Sequence, residues 1–174
     1  SPYLLVLQHP PLGQASLAGR QMGGTLRAVC AAGLPALVIY PNADPGSREG
    51  IREIERVRGR PGFVIRRNLA HDFFVNALRH ATALVGNSSS GIIEAPFLGT
   101  PVVNIGTRQD GRERGGRVID VPHEEKAIAR EIRRALRARR PREPRSPYGD
   151  GRAAARTLAA IERFLKGQGI KDEG

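Results

Sequence analysis

Apolar residues along this chain fall in short, strand-sized runs separated by longer stretches in which they recur every three or four positions. The runs lie at 4–8, 36–40, 62–66, 83–86, 102–105 and 118–121, and most are continuously apolar, as expected of strands covered on both faces of a parallel sheet. Between them, Met22, Leu26, Val29 and Cys30 share one helical face that Gly33-Leu34-Pro35 ends. Ile51, Ile54 and Val57 form a second stripe behind Ser47, a capping residue type, and Phe73, Phe74, Ala77, Leu78 and Ala81 form a third. A short helix is predicted over 92–98, stopped by Gly99-Thr100-Pro101, and two longer ones near 124–139 and 152–165. The alternation predicts an α/β fold: a doubly wound, mostly parallel six-stranded sheet of Rossmann-like type, with helices on both faces. Right-handed crossovers would bring the ligand loops to the carboxyl ends of the strands.

The unusual residues stand at those ends, in four loops: Gln8-His9-Pro10, the segment 41–47, the segment 86–91 and Gly106-Thr107-Arg108-Gln109. In the third, a buried strand breaks into Gly86-Asn87-Ser88-Ser89-Ser90-Gly91 and opens a helix. The first turn of a helix offers unpaired N–H groups and the positive end of its dipole, and the serines add hydroxyls, so the turn suits a phosphate. Gly86 and Gly91 would let an anionic ligand approach the backbone. Glu94, a little over one turn further on, is poorly placed for a phosphate and well placed for ribose hydroxyls. A nucleoside diphosphate site follows. The alternative is a well-capped helix start, although capping needs only one such residue and four stand here in a row. Arg108 could pair bidentately with a phosphate, or its loop could be tied down by ion pairs among Asp110, Arg112, Glu113 and Arg114. His9, held extended by Pro10-Pro11, could donate to a phosphate oxygen, protonate a leaving group, or bond a nearby carbonyl. Asn42 and Asp44 stand in a segment of turn-forming residues and read as turn formers with a cap. His71, His80 and His123 lack partners at ligand spacing and there is no Cys/His cluster, so neither a metal nor a cofactor is expected.

A length of 174 residues allows one domain with a substantial core, and 40% apolar content with spaced Gly and Pro argues for a globular protein. No apolar run is long enough to span a membrane, and because the chain opens on a core strand no secretory signal is expected. Cys30, the single cysteine, is expected as a buried thiol in a reducing cytoplasm. The formal charge of +11 raises a nucleic-acid partner. Much of that charge is one cluster of arginines at 130, 133, 134, 137, 139, 140, 142 and 145, interleaved with Ile128, Ile132, Ala135 and Leu136 at helical spacing. A solvated helix face explains it, and five Phe, three Tyr and no Trp leave little for stacking on bases. Prolines in 141–146 read as a linker, dividing the chain into a ligand-binding domain at 1–146 and a C-terminal helical segment at 147–174.

The strings QHP (8–10), PNADPGS (41–47), GNSSSGIIEAPFLGTPVVNIGTRQDGRERG (86–115) and YGDG (148–151) resemble, in order, the hydrolysing UDP-N-acetylglucosamine 2-epimerases. The resemblance covers essentially the whole chain. It implies a GT-B-type architecture of two Rossmann-like domains facing across a cleft, of which this chain matches the second. It further implies UDP and UDP-N-acetylglucosamine as ligands, with Ser88 and Ser89 on the diphosphate, Glu94 on the ribose hydroxyls, and the backbone of Leu69 on uracil. Asn42 would line the nucleotide site, and His9 and Arg108 would approach the phosphates as the candidate catalytic residues. The reaction implied is elimination of UDP across C1–C2 and hydration of the glycal to N-acetylmannosamine, for sialic acid-like sugars, in a cytoplasmic homo-oligomer. Its acid/base carboxylates are expected in an N-terminal domain that no segment here matches, and the helix at 147–174 would pack back toward that domain. Arg48 and Arg67 fall near an allosteric site of some members, but their neighbours differ and no regulation is implied. Two other readings compete: the donor-nucleotide domain of a GT-B glycosyltransferase, and a basic nucleic-acid-binding module.

Overall fold

In a computed structural model, which describes residues 2–137 and 146–167, the chain builds one sheet of six parallel strands. The strands are β1 (Leu4–Leu7), β2 (Ala36–Ile39), β3 (Phe63–Arg66), β4 (Ala83–Gly86), β5 (Val102–Ile105) and β6 (Val118–Val121). The helices are α1 (Ala18–Ala31), α2 (Ser47–Arg56), α3 (His71–His80), α4 (Glu94–Leu98), α5 (Glu125–Leu136) and α6 (Ala153–Leu165). The spatial order β3-β2-β1-β4-β5-β6 reverses direction between β1 and β4, and such a switch point opens a crevice at the carboxyl ends of the strands.

Every residue of β1, β4 and β5 is buried, which matches their apolar runs, broken only by Asn104 of β5, while the edge strands β3 and β6 are partly exposed. One core layer joins the sheet to α1, α2 and α5 through Met22, Leu26, Val29, Ile54, Ile128 and Ile132. The other joins it to α3 and α4 through Leu5, Leu78, Leu84, Ala95 and Val102. Each layer removes its helices' apolar stripes from water, and this burial is the main stabilising term.

The structure departs from the sequence reading in three places. The 92–98 helix is shorter and starts differently: a single 3-10 turn, Ser89–Gly91, precedes α4, which has only five residues. Cys30 is half-buried rather than a core thiol, because it stands where α1 meets the edge of α2, beside Glu53 and Arg60. The glycines expected to admit a ligand instead admit protein: a Cβ on Gly86 would lie 2.0 Å from the Leu7 carbonyl oxygen, and one on Gly91 would lie 2.9 Å from a Val102 methyl. Arg130, Arg133 and Arg134 on α5, and Arg137 just beyond its end, are exposed, as expected of a wet face. The remaining arginines of that cluster, at 139, 140, 142 and 145, and all of the 141–146 linker except Ser146, lie outside the described residues.

Candidate functional site

The register of the central strands sets the site. Leu7 pairs with Gly86, so β1 and β4 end side by side and their loops leave the sheet together. Asn87, fully buried, ties the two loops: its Nδ2 donates to the His9 carbonyl at 2.9 Å and its Oδ1 accepts the His9 N–H at 2.7 Å. The backbone carbonyl of Asn87 accepts from Arg108 Nη1 at 3.2 Å and from Gln109 Nε2 at 2.8 Å, which brings in the loop after β5. The segment after β2 joins through the Asn42 N–H, which donates to His9 Nδ1 at 3.0 Å. The four loops singled out in the sequence therefore meet at the switch point, as the topology requires.

Of the predicted residues, the structure gathers His9, Asn42, Ser88, Ser89 and Arg108 around Asn87. Ser88 is buried and its hydroxyl is committed locally, accepting from the Ser90 N–H and donating to Ser90 Oγ, both at 3.3 Å. The hydroxyl-bearing side chains of Ser89 and Ser90 are half-exposed. Because α4 is so short, little macrodipole backs this turn; the Arg108 guanidinium, bonded to the Asn87 carbonyl, is the cation beside it. Glu94, the first residue of α4, faces a cleft of about 310 Å³ formed with His71, Val75, Phe97 and Tyr148, and has no hydrogen-bond or ion-pair partner among the described residues. Leu69, half-buried, packs on the α3/α4 side of the core. Asp44 holds the Asn42 side chain at 2.5 Å, so the Asn42 amide is partly used in shaping its own loop.

His9 is held neutral. Burial, reinforced by the Arg108 charge and opposed by Asp44 and the Asn42 hydrogen bond, lowers its pKa to about 4. With Nδ1 accepting from Asn42, the neutral ring carries its proton on Nε2, a donor suited to a phosphate oxygen.

Two features escaped the sequence reading. Asn87 reads as one more capping residue, and nothing local tells that its amide will face a peptide on another strand. Gln109, buried at 2% exposure, looks like an ordinary polar loop residue. Burial also lowers the pKa of His123, whose ring packs against Gly106 with both nitrogens unpartnered. Among the described residues no three His, Cys, Asp or Glu side chains converge to hold a metal, and no helix is long and apolar enough to cross a membrane.

A fully parallel 3-2-1-4-5-6 sheet with a polar crevice at its switch point is the architecture of nucleotide-binding α/β domains. The family model for UDP-N-acetylglucosamine 2-epimerase matches residues 1–162, and the chain belongs to that family. It is 33% identical over 158 residues, 91% of its own length and 42% of the relative's, to a UDP-N,N'-diacetylbacillosamine 2-epimerase (hydrolyzing) of Legionella pneumophila. It is 40% identical over 96 residues to polysialic acid biosynthesis protein P7 of Escherichia coli, covering 55% of this chain and 25% of that one. Its fold matches the crystal structure of UDP-GlcNAc 2-epimerase from Neisseria meningitidis bound to UDP-GlcNAc, with a TM-score of 0.70 and 19% identity, over 95% of this chain and 45% of that one. The chain thus spans less than half the length of each of these relatives.

Proposed function

We propose that this chain is the UDP-binding half of a hydrolysing UDP-N-acetylglucosamine 2-epimerase, an enzyme converting UDP-N-acetylglucosamine and water to N-acetylmannosamine and UDP for sialic acid-like sugars. The observation that carries the reading is the convergence of His9, Arg108 and the serine turn on Asn87, in a chain of this family. In this reading the Arg108 guanidinium and the His9 Nε2–H face the diphosphate, where they stabilise the charge that develops as UDP departs. The Ser89 hydroxyl and the N–H groups of Ser88 and Ser89, which open the turn, hold the phosphate oxygens, with the Ser88 hydroxyl shaping the turn beneath them. Glu94, its carboxylate unclaimed among the described residues, accepts from the ribose hydroxyls, while Leu69 and Asn42 border the nucleoside. The bases that would move the C2 proton belong to the other half of the enzyme.

The test has two parts. Calorimetric titration of this chain should show UDP binding, with UMP weaker, and Glu94→Gln should weaken UDP while leaving pyrophosphate unchanged. Equal losses for both ligands would make Glu94 structural. The full-length protein, given UDP-N-acetylglucosamine and no acceptor, should release N-acetylmannosamine; no turnover until a sugar acceptor is added would remove the epimerase reading and favour a glycosyltransferase.

We also propose that α6 docks on the half absent from this chain, so that residues 147–174 act as a separate segment. Leu158, Ile161, Phe164 and Leu165 of α6 are between 51% and 77% exposed, and burial of each such side chain contributes about 1.5–3 kcal/mol. Amide hydrogen exchange in α6 should be fast in this chain and strongly protected in the full-length protein. Equal exchange in the two would show that α6 does not bridge them.

A further inference from the structure

We propose that Asn87 is a positioning residue of the diphosphate site, whose side-chain amide and backbone carbonyl together set the directions of His9 and Arg108. The inference rests on the UDP-binding reading and deepens it. Asn87 is 0% exposed, so no water competes for its hydrogen bonds. Its side chain bonds both the N–H and the carbonyl of His9, fixing the backbone on either side of the His9 Cα, and hence the direction of the imidazole. Its own N–H donates to the Leu7 carbonyl at 3.2 Å, anchoring the clamp to the end of β1. Its carbonyl takes Arg108 Nη1 on one side and is braced by Gln109 Nε2 on the other. One buried residue therefore places a neutral donor and a cation at the same serine turn.

The clamp demands one donor and one acceptor at the end of a side chain of this length. A carboxylate offers two acceptors and would face the His9 carbonyl with like charge, whereas a neutral carboxylic acid restores one donor and one acceptor. Asn87→Asp therefore converts the positioning into a pH-dependent property. The charged groups acting on the His9 ring, Arg108 from the loop after β5 and Asp44 from the loop after β2, are unchanged in the variant, as is the Asn42 N–H.

UDP affinity of wild type and Asn87→Asp would be compared at matched pH, which cancels the titration of UDP itself. The variant should bind at least tenfold more weakly at pH 7.5 and approach wild type near pH 5, and the NMR titration of His9 should move upward in it. A defect of the same factor at every pH, or no defect, would overturn the positioning role. Wild type failing to bind UDP would instead overturn the nucleotide reading, and the His9 titration reads the clamp without ligand. Gln109→Leu guards against a variant that does not fold, because it removes one brace from the Asn87 carbonyl and leaves the amide clamp in place. It should lower UDP affinity severalfold with an unchanged melting temperature; unchanged affinity would count against the proposal.

Discussion

Gly86→Ala should destabilise the chain by more than about 3 kcal/mol, the largest loss expected from any single methyl group added at the crevice. Gly86 has φ 142°, a region that side-chain-bearing residues avoid, and the added Cβ would lie 2.0 Å from the Leu7 carbonyl oxygen and 2.5 Å from its carbon. That carbonyl cannot retreat without breaking the β1–β4 pairing at Leu7 and Gly86 and the Asn87 N–H bond beside it. Gly33→Ala is the control: at φ 71° with nothing within 4 Å of its Cβ, it carries backbone strain alone, about 1–2 kcal/mol. Urea denaturation of the two variants measures the difference. Equal losses would show that the Leu7 contact is not what requires glycine at the end of β4.

Arg108→Ala should reduce UDP affinity about 10- to 150-fold, the range for losing one hydrogen bond to a charged group, about 1.5–3 kcal/mol. The same variant should change how stability responds to acid. The pKa of His9 is lowered to about 4, first by burial and next by Arg108, from an ordinary value of 6.5. Between those values the unfolded chain binds more protons than the folded one, so stability falls as pH drops through that window and is unaffected by His9 above it. Removing the Arg108 charge raises the folded-state pKa and narrows the window from its acid end, so the variant should lose less stability between pH 7 and pH 4.5 than wild type does. Urea midpoints at the two pH values read this directly. Identical acid losses would mean that the guanidinium does not act on His9.

These expectations separate what was legible along the chain from what was not. The six strands could be placed to within a residue because a strand buried on both faces must be largely apolar, as β1, β4 and, apart from Asn104, β5 are. The four loops at the rim were legible for a related reason. Polar and glycine-rich segments cannot continue a buried strand, and the α/β alternation sends them all to one rim. The start of α4 was misjudged because serine, asparagine and glycine favour both a helix cap and a tight turn, and local propensity does not choose between them.

What the sequence by itself determined, then, is the alternation of elements, the burial of the central strands and the collection of His9, Asn42, the serine turn and Arg108 on one edge, all of which follow from periodicity and handedness. Only the tertiary structure decided which atoms meet there. Gly86 is required by the Leu7 carbonyl rather than by a ligand, Ser88 spends its hydroxyl on its own turn, and Asn87 holds a peptide 78 positions away in the chain. Those pairings depend on the register between β1 and β4. That register is set by packing across the whole sheet, and no short window of sequence carries it.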